Sequence, residues 1–377
     1  MNNLKRIFAL MLCVAMVVIC FAGCHEKGEI AVKIGDIEFT SGYYACAFVF
    51  ADVEARSKVV SSLPEEQQNS EIDYAAHKID GMEYDAWVRK TALDTLKEHA
   101  AIKTLCNQDK VTLDAETLAS AKVYGEYLWV GSEYYAAYSL IMEPNGVAME
   151  TFIEFEQIEY LKDAYFDAIY GKDGKKAISD EQMKKYLADN YVLVNKLEAS
   201  FSSLKEDEIT KKKADFAGYE ASLKDGSKKF EEIYLAYNNI KAEDHKHEEP
   251  EEGELAPKDS HATVLSAEYK SKDGSTQDAS ANYKDAKEMA VGDVKVITNK
   301  DADGKETGIV LLVKQDISAD PYYIQNEDMD REIRTKIVDT ELDDEIKALA
   351  QKLTCEVNDF SIGQFDVEDI EYPEGYY

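Results

Sequence analysis

Apolar residues alternate from Ile30 to Phe39, with Ile30, Val32 and Ile34 on one face and Ile37 and Phe39 beyond Gly35-Asp36. A period of two interrupted by a Gly-Asp pair predicts a small β-hairpin. The period then lengthens. Tyr44, Phe48, Ala51, Ala55 and Val59 recur at helical spacing behind Thr40 or Ser41 as N-cap. Residues 61–81 are polar and read as a loop. A second helix is expected from about Tyr84 to Gln108, with Val88, Ala92, Leu96 and Leu105 facing inward. A third covers about Asp114 to Leu140 and carries Tyr124, Tyr127, Tyr134, Tyr135 and Tyr138, before Pro144-Asn145-Gly146 breaks the pattern. A fourth runs from about Ala148 to Tyr170, with Gly171 at its C′ position. Ser179-Asp180-Glu181-Gln182 is a capping box that opens a short helix to about Asn190.

From Tyr191 the character changes. Residues 191–204 show strand-like alternation, and 209–239 are helical with an interruption at Lys224-Asp225-Gly226. Residues 241–261 form a charged, Pro-containing loop. Val294–Thr298 and Gly308–Val313 read as a hairpin across the turn-rich 299–307, and Ile309–Val313 is a continuous apolar run suited to a central strand. Pro321 ends this region, a long helix is expected from Glu327 to Leu353, and the tail from Asp366 is acidic and reads as loose. Lys-Asp-Gly recurs at 172–174, 224–226 and 272–274, but the irregular spacing marks turns and not a structural repeat.

The first residues set an expected compartment. Lys5 and Arg6 precede an uninterrupted apolar run from Ile7 to Phe21, which is short for a permanent anchor. Phe21-Ala22-Gly23-Cys24 resembles a bacterial lipobox, which implies cleavage before Cys24 and a diacylglyceryl group on its thiol. Two acyl chains suffice for stable anchoring, at about 0.8 kcal/mol per buried CH₂. The formal charge is 43 − 75 = −32. That balance argues against a nucleic-acid partner and against electrostatic docking on anionic lipid, so the lipid itself must anchor the chain.

Beyond Cys13 and Cys20 in the signal and Cys24 in the lipobox, Cys46, Cys106 and Cys355 remain. Three scattered thiols make neither a disulfide framework nor a CxxC site; buried free thiols are the reading, with one bonded pair as the alternative. Asp244-His245-Lys246-His247-Glu248-Glu249, with His261 further on, holds imidazoles and carboxylates that suit zinc or copper. Lys246 between the two His and the lack of flanking elements favour a solvated charged loop, so no metal and no cofactor are expected. His77 and His99 lie on or near helices and read as interfacial. No Walker A, GxGxxG, HExxH or G-x-S-x-G motif occurs.

The order of parts resembles the SurA/PrsA-type extracytoplasmic foldases. Ala31-Val32-Lys33-Ile34-Gly35-Asp36-Ile37-Glu38-Phe39-Thr40 looks like their opening hairpin, and Ala92 to Asn190, with its Val111-Thr112-Leu113-Asp114 turn and its Ile178–Gln182 close, looks like their helical chaperone module. Leu223–Ile233, Met289–Val294 and Gly308–Leu312 look like pieces of a parvulin, the peptidyl-prolyl isomerase inserted in these proteins. The resemblance implies an α+β fold: a mainly helical SurA-N-like module over 24–190, an inserted parvulin-like domain over 191–320, a C-terminal helix over 321–365 returning to the module, and an acidic tail over 366–377, after a signal at 1–23. Parvulins carry two His on neighbouring central strands. Phe201 and Val310 stand at those positions here, and the Gly-rich loop between the halves is replaced by the acidic 241–261 segment. An apolar pair on adjacent strands is expected to pack together and close the groove that a prolyl peptide would need.

The function implied is that of a lipid-anchored chaperone outside the cytoplasm, with unfolded or nascent secreted proteins as partners. Tyr44, Phe48, Tyr134 and Tyr138 are candidate client contacts. An active prolyl isomerase and a scaffolding lipoprotein are the alternatives; a pocket that twists the imide needs no nucleophile to lower the ~18–20 kcal/mol barrier.

Overall fold

The computed structural model describes residues 29–68, 72–132, 137–241, 245, 257, 259, 261–320 and 322–373. The chain is α+β and mainly helical. It divides into two compact units, one running through Ile169 and resuming at Leu342, the other Tyr170–Glu341. The signal-like segment and Cys24 lie outside the described residues. Among the described residues no helix is long and apolar enough to cross a membrane.

The first unit opens with the predicted hairpin, β1 (Ile30–Ile34) and β2 (Ile37–Thr40), paired Ile34 to Ile37 around Gly35-Asp36. Gly35 sits at φ 57°, the conformation such a two-residue turn requires. Thr40 caps α1 (Ser41–Ser62) by accepting the Tyr43 N–H at 3.3 Å. A hairpin of two-residue strands, β3 (Lys78–Ile79) and β4 (Met82–Glu83), leads into α2 (Tyr84–Asp109), which packs along α1. Next come α3 (Ala115–Val130), the short α4 (Ser139–Met142) and α5 (Met149–Tyr170). The expected third helix therefore stops ten residues early. Gly131, at φ 74°, ends it with its N–H on the Tyr127 carbonyl.

The second unit begins with α6 (Asp180–Asn190), whose capping box is formed in both directions between Ser179 and Gln182. Its sheet has the order β6-β5-β10-β9, all antiparallel, with β5 (Tyr191–Ser200), β6 (Ala262–Ser266), β9 (Val294–Lys300) and β10 (Glu306–Gln315). Between β5 and β6 lie α7 (Glu206–Lys224) and α8 (Phe230–Asn238). The small β7–β8 hairpin (Tyr269–Lys270, Thr276–Gln277) and α9 (Tyr283–Glu288) precede β9. Alternate residues of the central strands face opposite ways, and each face has its own cover. Leu197, Ile309 and Leu311 meet Phe216 of α7 and Ile233 of α8, whereas Val192, Val194 and Leu312 meet Ala286 of α9 and Met289.

The segment after Pro321 does not return as one helix. It forms α10 (Tyr322–Gln325), α11 (Glu327–Val338) and α12 (Glu341–Ala350). The break falls at Asp339, φ 54°, whose carboxylate accepts from the Ser271 and Tyr269 hydroxyls and from the Lys272 N–H; that grip on the β7 turn draws the chain out of helix. α11 also belongs to the second unit. Arg334, buried, is forked onto Asp330 and donates to the Tyr170 and Ile178 carbonyls, while Tyr191 donates to Glu332 at 2.7 Å. The second unit thus runs from Tyr170 to Glu341. Only from α12 onward does the chain rejoin the first unit, where β11 (Cys355–Val357) adds to the opening hairpin beside β1, Val32 opposite Val357 and Ile34 opposite Cys355. The short helix α13 (Asp359–Ile362) follows.

The tail is not loose as far as Pro373. Val367 is buried, and the Tyr372 hydroxyl donates to Asp52 while its ring lies 4.1 Å from the Arg56 guanidinium. Cys46, Cys106 and Cys355 are all free thiols, the first two buried and the third half-buried.

Candidate functional site

The parvulin-like positions come out on opposite faces of the sheet. Phe201 follows β5, its N–H bonded to the Thr307 carbonyl at 2.9 Å, and its side chain packs with Leu197, Phe216, Ile233, Ile309 and Leu311. Val310 lies opposite Glu198 and points the other way, into Val192, Val194, Leu265, Ala286 and Met289. The expectation that the two pack against each other is therefore corrected. Paired residues share a face in an antiparallel ladder, so Phe201 shares its face with Ile309 and Leu311 and not with Val310. Both side chains are buried, each under its own helices. At these two positions the sheet offers neither a proton donor nor an open groove.

The exposed chemistry lies in the first unit, on α3. Ala121, Gly125 and Trp129 form its buried face at i, i+4, i+8. A Cβ on Gly125 would meet Ile153 Cγ1 of α5 at 2.9 Å and the Ile153 Cα at 3.5 Å, so glycine is what permits this close approach. Trp129 seals the same face against Phe152, ring centroids 5.4 Å apart. With that side pinned, Val123 (65% exposed), Tyr124 (49%), Tyr127 (45%) and Val130 (71%) stand in solvent. Tyr124 and Tyr127 stack with centroids 6.5 Å apart and planes 27° from parallel. Tyr160 of α5 lies nearby; burial first and the neighbouring Tyr124 second push its hydroxyl above the usual phenol range. Leu140 on α4 is also exposed. An apolar helix face left uncovered on a protein with so strong a net charge is the kind of patch that marks an interaction surface.

The four aromatics first singled out do not sit there. Tyr44 and Phe48 are fully buried, stacked on each other and tilted against Phe365, and present no surface to a ligand. Tyr138 is half-buried against Phe50 and Phe152. Tyr134 lies outside the described residues. The residues that are exposed, Tyr124 and Tyr127, were visible as part of the same Tyr-rich helix. What singles them out is that they fall off the i, i+4, i+8 face of small residues and Trp129.

Of two buried polar groups in the first unit, Asp52 was not read from the sequence and His99 was read as interfacial. Asp52, fully buried on α1, accepts from Arg56 and from the Tyr84 hydroxyl, both at 2.7 Å, and from Tyr372. His99, on α2, shares a 2.9 Å hydrogen bond with the Tyr43 hydroxyl. Burial, with Lys103 adding to it, pushes its imidazole down to about 3. Each is bonded to side chains of the same unit, Asp52 to Arg56, Tyr84 and Tyr372 and His99 to Tyr43, so each ties parts of its core together. In the second unit, Glu231, His245 and His261 bring one donor atom each within 4.8 Å of one another.

No family model matches the chain, and no curated protein matches it. Among solved structures, the 3.10 Å crystal structure of the foldase protein PrsA from Lactococcus lactis is similar at 12% identity and a TM-score of 0.38, covering 91% of this chain and 100% of that one. A likeness at that level carries no argument about this chain, and the functional case rests on its own residues.

Proposed function

We propose that the chain is a chaperone held outside the cytoplasm by a lipid on Cys24, and that it captures extended apolar segments of unfolded secreted proteins on α3. The uncovered stripe of Val123, Tyr124, Tyr127 and Val130 carries this reading. Tyrosine gives large contact area with a polar tip, so it wets when empty and buries apolar side chains when occupied. A stripe a few residues long binds weakly and releases, as a holding chaperone must. The net charge of −32 keeps the loaded complex soluble. No nucleotide motif is present in the sequence, so capture is expected to be ATP-independent. The filled faces around Phe201 and Val310 favour a holding role over prolyl isomerisation.

The test is light scattering of a denatured client diluted into the full chain. Wild type should slow aggregation without ATP, and Tyr124→Ser combined with Tyr127→Ser should lose most of that effect while keeping the wild-type circular dichroism spectrum. Scattering unchanged by a several-fold molar excess of wild type would favour the scaffolding alternative. Anchoring is tested separately. Cells fed radiolabelled palmitate should label the wild type, and Cys24→Ser should abolish the label.

A further inference from the structure

We propose that Glu231, His245 and His261 form a binding site for a divalent transition metal, zinc above all. The site lies wholly within the second unit and is independent of the α3 stripe.

The geometry comes first. The His245 and His261 Nε2 atoms are 3.2 Å apart. Two ligands of one tetrahedral zinc, each about 2.0–2.1 Å from the metal, stand about 3.4 Å from each other. The imidazole pair is therefore already at the spacing of two zinc ligands. A carboxylate oxygen of Glu231 lies within 4.8 Å of both, and Glu231 is exposed. Three protein donors leave a fourth tetrahedral position for water or another donor.

The fold builds the site from two directions. Asn195 is fully buried in the central strand β5, an unusual place for an amide. It donates to Asp259 Oδ2 at 2.8 Å and accepts from Gln315. Asp259 Oδ1 in turn accepts the His261 N–H at 2.9 Å, which fixes His261 at the mouth of β6. From the other side, Tyr234 lays its ring 4.4 Å from that of His261. Tyr234 is three residues beyond Glu231 on α8, so the same helix face that positions the aromatic wall delivers the carboxylate.

The donor set decides the metal. Two imidazoles with one carboxylate suit zinc and its borderline neighbours, whereas magnesium and calcium take oxygen donors. Glu248, Glu249, Glu251, Glu252 and Glu254 lie in sequence between the two His, so the intervening segment favours a cation over an anion. A metal held by His245 and His261 would join two points 16 residues apart in the chain, so proteolysis between them reports on binding.

The experiment is calorimetric titration of zinc chloride into the untagged, chelator-stripped full chain at pH 7.5, with magnesium chloride as comparison. The expected result is one equivalent of zinc, no magnesium binding, and a loss of at least tenfold in affinity in His245→Ala and in His261→Ala, with a smaller loss in Glu231→Gln. Zinc should also slow proteolytic nicking between 246 and 258 in wild type and not in His245→Ala, a readout that a merely destabilised variant would not reproduce. Absence of zinc binding in wild type, or equal affinity in wild type and both His variants, overturns the proposal.

Discussion

The central sheet and α3 are both rich in apolar residues, but they end in opposite conditions. Val310 and Phe201 lie in the sheet with a separate helical cover for each face. Val123, Tyr124, Tyr127 and Val130 lie on a helix whose cover reaches only the other side. The comparison teaches where to look for function in such a chain. Where both sides of an apolar element are closed, its side chains supply stability; where one side is left to water, the cost of exposure needs a reason.

The largest effect should come from placing one charge in each setting. Val310→Asp would bury a carboxylate between β10 and α9 with no partner, a loss of at least about 4 kcal/mol. The second unit should lose its β signal in circular dichroism at 25 °C. A Val310→Asp protein as stable as wild type would mean that this face is open to water, and the isomerase groove would be back in contention.

The first unit has its own buried charge, and breaking it should come next. Asp52→Ala removes the buried carboxylate that accepts from Arg56 and from the hydroxyls of Tyr84 and Tyr372, and a loss of about 3–5 kcal/mol is expected in urea unfolding. Tyr372→Phe removes one donor only and should cost about 1 kcal/mol. If Tyr372→Phe has no effect, the tail is not tied to α1 as described.

Much of this architecture was legible beforehand. The opening hairpin, the stripe of α1, the capping box of α6 and the β9–β10 hairpin all announced themselves through local period and turn chemistry, because each is decided by residues within a few positions of one another. What could not be read was set by distant partners. Asp339 breaks a helix because Ser271 and Tyr269 hold its carboxylate, and β11 exists because β1 offers an edge more than 300 residues earlier in the chain. Phe201 and Val310 were aligned by position on neighbouring strands, but only the register reveals that they face apart. The zinc-like cluster was half visible. His245 and His261 stood out, while Glu231 belonged to an ordinary amphipathic helix until folding brought it alongside.

Acid should distinguish the two units. Burial holds His99 in the first unit neutral down to about 3, against 6.5 for an ordinary imidazole. Between those values the unfolded chain binds a proton that the folded chain does not, so stability rises with pH. The contribution is intact above about pH 6.5 and falls by about 2 kcal/mol on going down to pH 5, at 1.36 kcal/mol per unit. Urea midpoints at the two pH values should show this slope in wild type and a shallower one in His99→Gln. Equal slopes would mean that another group controls the acid response.

The smallest effect on stability is expected on the open face of α3, and it is the most telling. Val123→Asp places the same carboxylate as Val310→Asp, but at a position 65% exposed. Valine and aspartate have similar helix propensities, and the charge stays hydrated, so the change in unfolding free energy should stay within about 0.5 kcal/mol. Client capture should nonetheless fall, because a hydrated carboxylate in the middle of the stripe must be stripped of water before an apolar segment can cover it. A variant with unchanged stability and lost capture separates the role of this face from that of the core. If Val123→Asp leaves capture of a denatured client untouched, the stripe is not the docking surface. If instead it unfolds the first unit, Val123 is covered in solution, and the contrast between the open helix face and the closed sheet disappears.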